Sequence, residues 1–177
     1  MNANKIHFKI TIIGETNVGK TNIISRIMSK PFNYSYENTL VPAIDYYNTE
    51  FTIEGTTYQT KLTIWDTSSK LRYRGLSKIL YKDALVVLIV FNITNKNSYT
   101  EAIDYWLKDV KTINKECSIY LVANFCDIDE SYEVSIDEIK QFANMNKILV
   151  YLVSARNNIG IEEMLNDIVF RLTNKIL

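Results

Sequence analysis

Residues 5–21 read KIHFKITIIGETNVGKT, and this stretch decides the fold. Its first part is an apolar run rich in isoleucine, which predicts a strand. Its second part, residues 14–21, matches the pattern GxxxxGK[ST] at every fixed position. A strand that leads directly into this pattern predicts a phosphate-binding loop followed by a helix.

Each part of the loop has a physical role in binding phosphate. Gly14 and Gly19 permit backbone conformations that a Cβ atom disfavours, so that successive N–H groups can converge on phosphate oxygens. Lys20 would bring a positive charge to the β- and γ-phosphates, and Thr21 a hydroxyl ligand to Mg²⁺. The predicted phosphate-binding residues are Gly14, Thr16, Asn17, Val18, Gly19, Lys20, Thr21 and Asn22.

Composition narrows the class of protein. The 177 residues contain 20 basic and 20 acidic side chains, so bulk charge favours neither nucleic acid nor an anionic membrane as the principal partner. No linker-like segment divides the chain, and we expect residues 1–177 to form a single domain. Two cysteines and one histidine are too few for a structural zinc site, and a reducing cytoplasm is the expected compartment.

Strand-like and helix-like segments alternate along the chain. The predicted strands span residues 5–13, 43–53, 58–65, 84–92, 118–123 and 148–153; the predicted helices span residues 20–28, 73–81, 98–113, 135–145 and 161–174. Repeated βα units predict an α/β fold of the P-loop NTPase type: a six-stranded, mostly parallel sheet with one antiparallel edge strand and helices on both faces.

Ligands of such sheets bind beyond the carboxyl ends of the strands. Four loops follow predicted strand ends, namely residues 14–21, 66–70, 124–127 and 154–156. We therefore expect these loops to meet and to form the binding site.

These loops make the chain resemble the small GTPases, in particular the Rab branch of the Ras superfamily, over nearly its whole length. Residues 65–84, WDTSSKLRYRGLSKILYKDA, align without a gap with the Rab-type pattern WDTAGQERFR followed by YYRGA. The resemblance implies a small G domain that binds GTP or GDP with Mg²⁺ and acts as a switch in vesicle trafficking or signalling. It also implies that effectors and exchange factors bind through the switch regions.

The resemblance assigns further site residues. Asp66 would bind Mg²⁺ through water, and Phe32 would place its ring against the guanine. The base-binding NKxD motif is represented by Asn124, Phe125, Cys126 and Asp127, and the SAK motif by Ser154, Ala155 and Arg156. Asp127 can accept two hydrogen bonds from guanine that adenine cannot donate.

Three residues depart from the family pattern. Phe125 replaces a lysine and could stack on a purine, but it cannot donate a hydrogen bond, so weaker nucleotide affinity is expected. Ser69 and Lys70 replace the glycine that donates to the γ-phosphate and the glutamine that orients water. The ammonium of Lys70 only donates hydrogen bonds, so Lys70 could stabilise phosphate charge but not orient water, and slow hydrolysis is expected.

The loop between the first predicted helix and the second predicted strand corresponds to switch I of the small GTPases. It can be aligned with the family pattern in two ways. Counting forward from Lys20 places Thr39 as the ligand of Mg²⁺ and the γ-phosphate, with residues 41–42 as a small bulge. Counting backward from Asp45 places Val41 at that position, and the threonine ligand is then lost. Thr39 is favoured because loops accept insertions more easily than strands.

Two other functions remain as alternatives. A pseudo-GTPase would keep the fold as an interaction module with weak or no hydrolysis, in accord with Ser69, Lys70 and Phe125. A P-loop kinase would need a lid with clustered arginines, and the chain offers only the pair Arg72 and Arg74. A monomer is expected, in the cytoplasm or peripheral on endomembranes, with membrane contact only through a lipidated tail outside this chain.

Overall fold

A computed structural model describes residues 4–34, 43–53, 56–66 and 74–176. The strands in these ranges form one sheet in the order β2-β3-β1-β4-β5-β6. Their bounds are β1 Asn4–Gly14, β2 Ala43–Ile53, β3 Thr56–Asp66, β4 Val86–Asn92, β5 Ser118–Asn124 and β6 Leu149–Leu152.

The pairing confirms the predicted α/β fold class. β1 lies between β3 and β4 and is parallel to both, and β5 is parallel to both β4 and β6. Among the described strands β2 pairs only with β3, in the antiparallel direction, and forms one edge of the sheet. The sheet is therefore mostly parallel with one antiparallel edge strand.

Helices connect the strands. They are α1 Lys20–Ile27, α2 Arg74–Tyr81, α3 Lys96–Glu101, α4 Leu107–Ile113, α5 Ile136–Asn146 and α6 Ile161–Ile176. A π-helical turn, Ala102–Trp106, joins α3 to α4, and a 3-10 turn, Asp129–Ser131, precedes α5. Within the described ranges, none of these helices combines the length and the apolar character needed to cross a membrane.

Two predicted elements differ from the structure. The helix predicted for residues 98–113 begins at Lys96, because the side chain of Asn95 caps it by accepting from the Ser98 N–H at 3.0 Å, and the π-helical turn interrupts it. The strand predicted to begin at Ala84 begins at Val86. Among the described residues, the carbonyl oxygen of Ala84 accepts a hydrogen bond from the side chain of Asn114 and not from a neighbouring strand. Other bounds shift by a few residues at most.

Helices pack on both faces of the sheet, as predicted. Side chains of β4 alternate between two cores: Leu88 packs with α1 and α6, whereas Ile89 packs with α2, α3, α4 and α5. Because both faces of β4 are buried, the strand reads as an unbroken apolar run in the sequence.

The buried side chain of Asn114 stabilises the end of the sheet opposite the phosphate-binding loop. Its Nδ2 donates to the carbonyl oxygens of Tyr81 at 2.8 Å and Ala84 at 2.9 Å. Its Oδ1 accepts from the Cys117 N–H at 3.1 Å. One amide thus links the end of α4 to the segments that enter β4 and β5.

Replacing Asn114 by alanine should lower the free energy of unfolding by about 1–3 kcal/mol, because buried backbone groups lose their partners. The matched control is Asn166→Ala on the exposed side of α6, which should change stability by less than about 0.5 kcal/mol. Urea unfolding measures both values. Equal stabilities for the two variants would contradict the role assigned to Asn114.

Candidate functional site

The loops that follow three of the strands meet at the carboxyl ends of those strands, as the sequence predicts. The side chain of Asn124, at the end of β5, donates through Nδ2 to the Val18 carbonyl at 2.9 Å. Its Oδ1 accepts from the Ala155 N–H, after β6, at 3.1 Å. Asn124 is 2 % exposed, so both hydrogen bonds are shielded from water.

The phosphate-binding loop depends on glycine at two positions. Gly14 has a φ of +139°, and a Cβ atom there would lie 2.1 Å from the Val90 carbonyl oxygen on β4. Gly19 has a φ of +90°, and a Cβ atom there would lie 2.2 Å from Nδ2 of Asn124. Both the backbone conformation and the available space therefore exclude a side chain.

Lys20 holds a buried positive charge in the same loop. Its Nζ donates to the carbonyl oxygens of Gly14 at 3.0 Å and Glu15 at 2.7 Å, and the residue is 6 % exposed. Burial lowers the pKa of Lys20 to about 8, while the charges of Asp66 and Glu15 act in the opposite direction. At neutral pH the ammonium persists, and a buried cation of this kind favours an anionic ligand.

The first two predicted Mg²⁺ ligands are adjacent. Thr21, in the first turn of α1, donates its hydroxyl to Oδ2 of Asp66 at the end of β3, at 2.6 Å. A hydroxyl and a carboxylate are the hard oxygen ligands that Mg²⁺ prefers. The third predicted ligand, Thr39, and the alternative Val41 lie outside the described residues, as do Ser69 and Lys70.

Asp127 brings a buried acceptor oxygen to the loop that follows β5. Its Oδ1 is buried and has no hydrogen-bond partner within the described part of the chain. Leaving a buried acceptor unsatisfied costs about 1–3 kcal/mol, so such groups are normally paired. A ligand that donates hydrogen bonds would satisfy this oxygen.

Phe125 packs where the family pattern has lysine. Its Cε2 lies 3.8 Å from the position that a Cβ atom on Gly19 would take, so its ring lies against the turn of the phosphate-binding loop. Phe125 also packs against the core that contains Trp106 and has a φ of +69°. The contact between the two loops is thus partly apolar.

The loop after β6 is fixed by a residue that the sequence analysis did not single out. Arg26, near the end of α1, donates through Nε to the Ala155 carbonyl and through Nη2 to the Arg156 carbonyl, both at 2.8 Å. Its Cζ lies 5.9 Å from the ring centroid of Phe32, which is half-buried. Arg26 thus interacts both with the ring of Phe32 and with the loop after β6.

A second contact was also missed. The buried indole of Trp106 donates through Nε1 to Oε1 of Glu15 at 3.3 Å, across 91 positions of sequence. Trp106 belongs to the π-helical turn, which adds a residue to the helical turn and rotates the side chains that follow. No motif signals this contact, because spacing along an ordinary α-helix does not predict a π-helical turn.

Comparison with known proteins decides the family. The model of the Ras family matches residues 9–174. The chain belongs to the Ras family. It is 31 % identical over 170 residues to Ras-related protein Rab-1 of Theileria parva, covering 96 % of this chain and 76 % of that protein. It is 30 % identical to Rab-21 of Dictyostelium discoideum, over 93 % of this chain and 76 % of that protein.

A third relative extends the same pattern. Ras-related protein rab-11.1 of Caenorhabditis elegans is 29 % identical, over 96 % of this chain and 78 % of that protein. The predicted resemblance to the Rab branch is confirmed: this is a Rab-like small GTPase of the Ras family. In this Rab-like chain the described loops are held together by Asn124, Arg26 and Phe125.

Replacing Asn124 by alanine should release the loop after β6, because the Ala155 N–H loses its acceptor. Amide hydrogen exchange at Ala155 should accelerate by about fivefold or more, which corresponds to one hydrogen bond of about 1 kcal/mol. NMR-detected exchange measures this rate. The control is Asn157→Ala, an exposed position in the same loop, which should leave exchange at Ala155 unchanged. Unchanged exchange in both variants would contradict the assigned link.

Proposed function

We propose that this Rab-like protein is a guanine-nucleotide switch that binds GTP and GDP with Mg²⁺ in a single G domain spanning residues 1–177. Hydrolysis of GTP is slow, and the switch acts in vesicle trafficking or signalling. Family membership supports the general class. Three local features support the nucleotide site: the buried Lys20, the pair Thr21 and Asp66, and the buried oxygen of Asp127.

The buried Oδ1 of Asp127 is the observation that carries the proposal. Guanine presents an N1–H and an exocyclic amine side by side, and a carboxylate can accept from both. Adenine lacks this pair of donors, so it would leave the oxygen unsatisfied. Phe125, in the same loop, supplies an apolar face beside the phosphate-binding loop.

Residues of the loop before α1, of α1 and of β3 would bind the phosphate groups and Mg²⁺. Lys20 would transfer its hydrogen bonds from the carbonyl oxygens of Gly14 and Glu15 to phosphate oxygens. Thr21 and Asp66 would hold Mg²⁺, directly and through water respectively, together with Thr39. Bound Mg²⁺ would neutralise charge on the β- and γ-phosphates.

Partners follow from the proposed switch. Protein effectors and exchange factors would bind through the switch regions, where GTP and GDP states of this class of protein differ. The protein would act as a monomer without nucleic acid, in the cytoplasm or at the periphery of endomembranes.

The first test identifies the nucleotide. Freshly purified protein is denatured, and released nucleotide is resolved by ion-pairing chromatography; we expect GDP or GTP rather than adenine nucleotides. Lys20→Ala should abolish retention, because the buried cation is lost. Asp127→Ala should reduce the preference for guanine over adenine by at least about tenfold, since charge-assisted hydrogen bonds are lost.

The matched control for the base is Asp129→Ala, which removes a carboxylate from an exposed position two residues along the same loop. It should retain the guanine preference. Protein that is empty and takes up no GTP with Mg²⁺ would contradict the proposal and favour a pseudo-GTPase interaction module. Equal losses in both aspartate variants would contradict the role of Asp127.

Lys70 should limit hydrolysis. Lys70→Gln should raise the single-turnover rate of GTP hydrolysis by up to about 10²-fold, the scale on which a misplaced reacting group slows a reaction. The control is Lys70→Met, which removes the charge without restoring an amide that can orient water. An equal gain in both variants would assign the effect to charge, and no gain in either would show that Lys70 is not the limit.

A further inference from the structure

A second concave site lies at the amino ends of the parallel strands, opposite the candidate nucleotide site. A groove of about 800 Å³ is lined by residues that begin two parallel strands, Ser118 of β5 and Leu149 of β6. The candidate nucleotide site follows the carboxyl ends of the same sheet. The groove is therefore separate from the nucleotide site, and an inference about it does not rest on the proposed function.

Among the residues that the structure describes, five basic side chains line this groove, and no aspartate or glutamate does. They are Lys111, Lys115, Lys147, Arg171 and Lys175. Across the described residues the ion pairs include Lys30 with Asp45 and Lys78 with Asp109, but they include none of the four groove lysines. Basic and acidic residues are equal in number over the whole chain, but basic residues are in excess around this groove.

Helix ends account for only part of the cluster. α4, α5 and α6 all end near the groove, and cations at helix carboxyl termini offset the negative end of each dipole, about half a charge per helix. Arg171 also pairs with Asp167, at 2.8 Å. Five cations exceed these offsets, and a positive surplus remains.

The groove also has an apolar wall. Phe170, on α6, is 59 % exposed, and Leu149, at the start of β6, is 40 % exposed. Both line the groove together with the lysines. An exposed aromatic ring beside clustered cations suits a ligand with a compact carbon frame and several negative charges. The groove volume lies in the range of about 300–1,000 Å³ typical of small-molecule sites.

We propose that this groove binds a compact anion carrying several phosphate groups, either free or as the headgroup of a phosphorylated lipid. Lysine ammonium groups bind phosphate as point charges from several directions. A cluster of lysines therefore suits a ligand with several phosphate groups better than it suits a ligand with a single carboxylate. Phe170 and Leu149 contact the carbon frame.

The test compares two pairs of substitutions. Isothermal titration calorimetry at physiological salt uses inositol hexakisphosphate as the soluble probe. Vesicle co-sedimentation uses phosphatidylcholine vesicles with and without phosphatidylinositol 4,5-bisphosphate. The groove variant is Lys111→Gln with Lys175→Gln. The control, Lys82→Gln with Lys140→Gln, removes the same charge from exposed positions outside the groove.

The groove variant should weaken binding at least about tenfold, and the control less than about twofold, because only the former removes cations that contact the ligand. Binding to vesicles alone would identify a lipid headgroup, and binding to the soluble probe as well would identify the phosphate cluster itself. Equal weakening in both variants, or binding that the groove variant leaves unchanged because the probe occupies the Lys20 site, would overturn the proposal. So would no binding to either probe.

Discussion

The buried amide of Asn124 is the constraint on which the candidate site depends. It stands at the carboxyl end of β5 and hydrogen-bonds the loop before α1 on one side and the loop after β6 on the other. Gly19 must be glycine because this amide occupies the space that a side chain would need. A single side chain thus links the loop after β6 to the loop before α1 and sets the glycine requirement at position 19.

Other contacts reinforce the same arrangement by different chemistry. Phe125 packs against the glycine turn through apolar contact, and Arg26 holds the loop after β6 from the opposite side through two charge-assisted hydrogen bonds. An apolar contact tolerates small displacements better than a hydrogen bond, since dispersion has little directional preference. Phe125, which stands where the Rab-type pattern has lysine, therefore brings an apolar ring to the glycine turn in place of a hydrogen-bond donor.

Sequence predicted those features that local pattern determines. The motif of residues 14–21 and the repeated βα units predicted the fold class, and the apolar run of β4 indicated a strand that is buried on both faces. The Trp106 contact and the basic groove could not be predicted, because each joins residues far apart in sequence. The π-helical turn escaped prediction for a related reason: its extra residue has no signature in hydrophobic periodicity.

The hydrogen bond between Trp106 and Glu15 gives the protein an internal optical reporter. The chain has two tryptophans, and Trp106 is the fully buried one, with its indole hydrogen-bonded to Glu15 in the loop of residues 14–21. Trp65, near the end of β3, is partly exposed, and the ammonium of Lys9 lies 4.9 Å from its ring centroid. We expect a displacement of Glu15 to change the emission of Trp106 without any added label, because the indole donates a hydrogen bond to this residue.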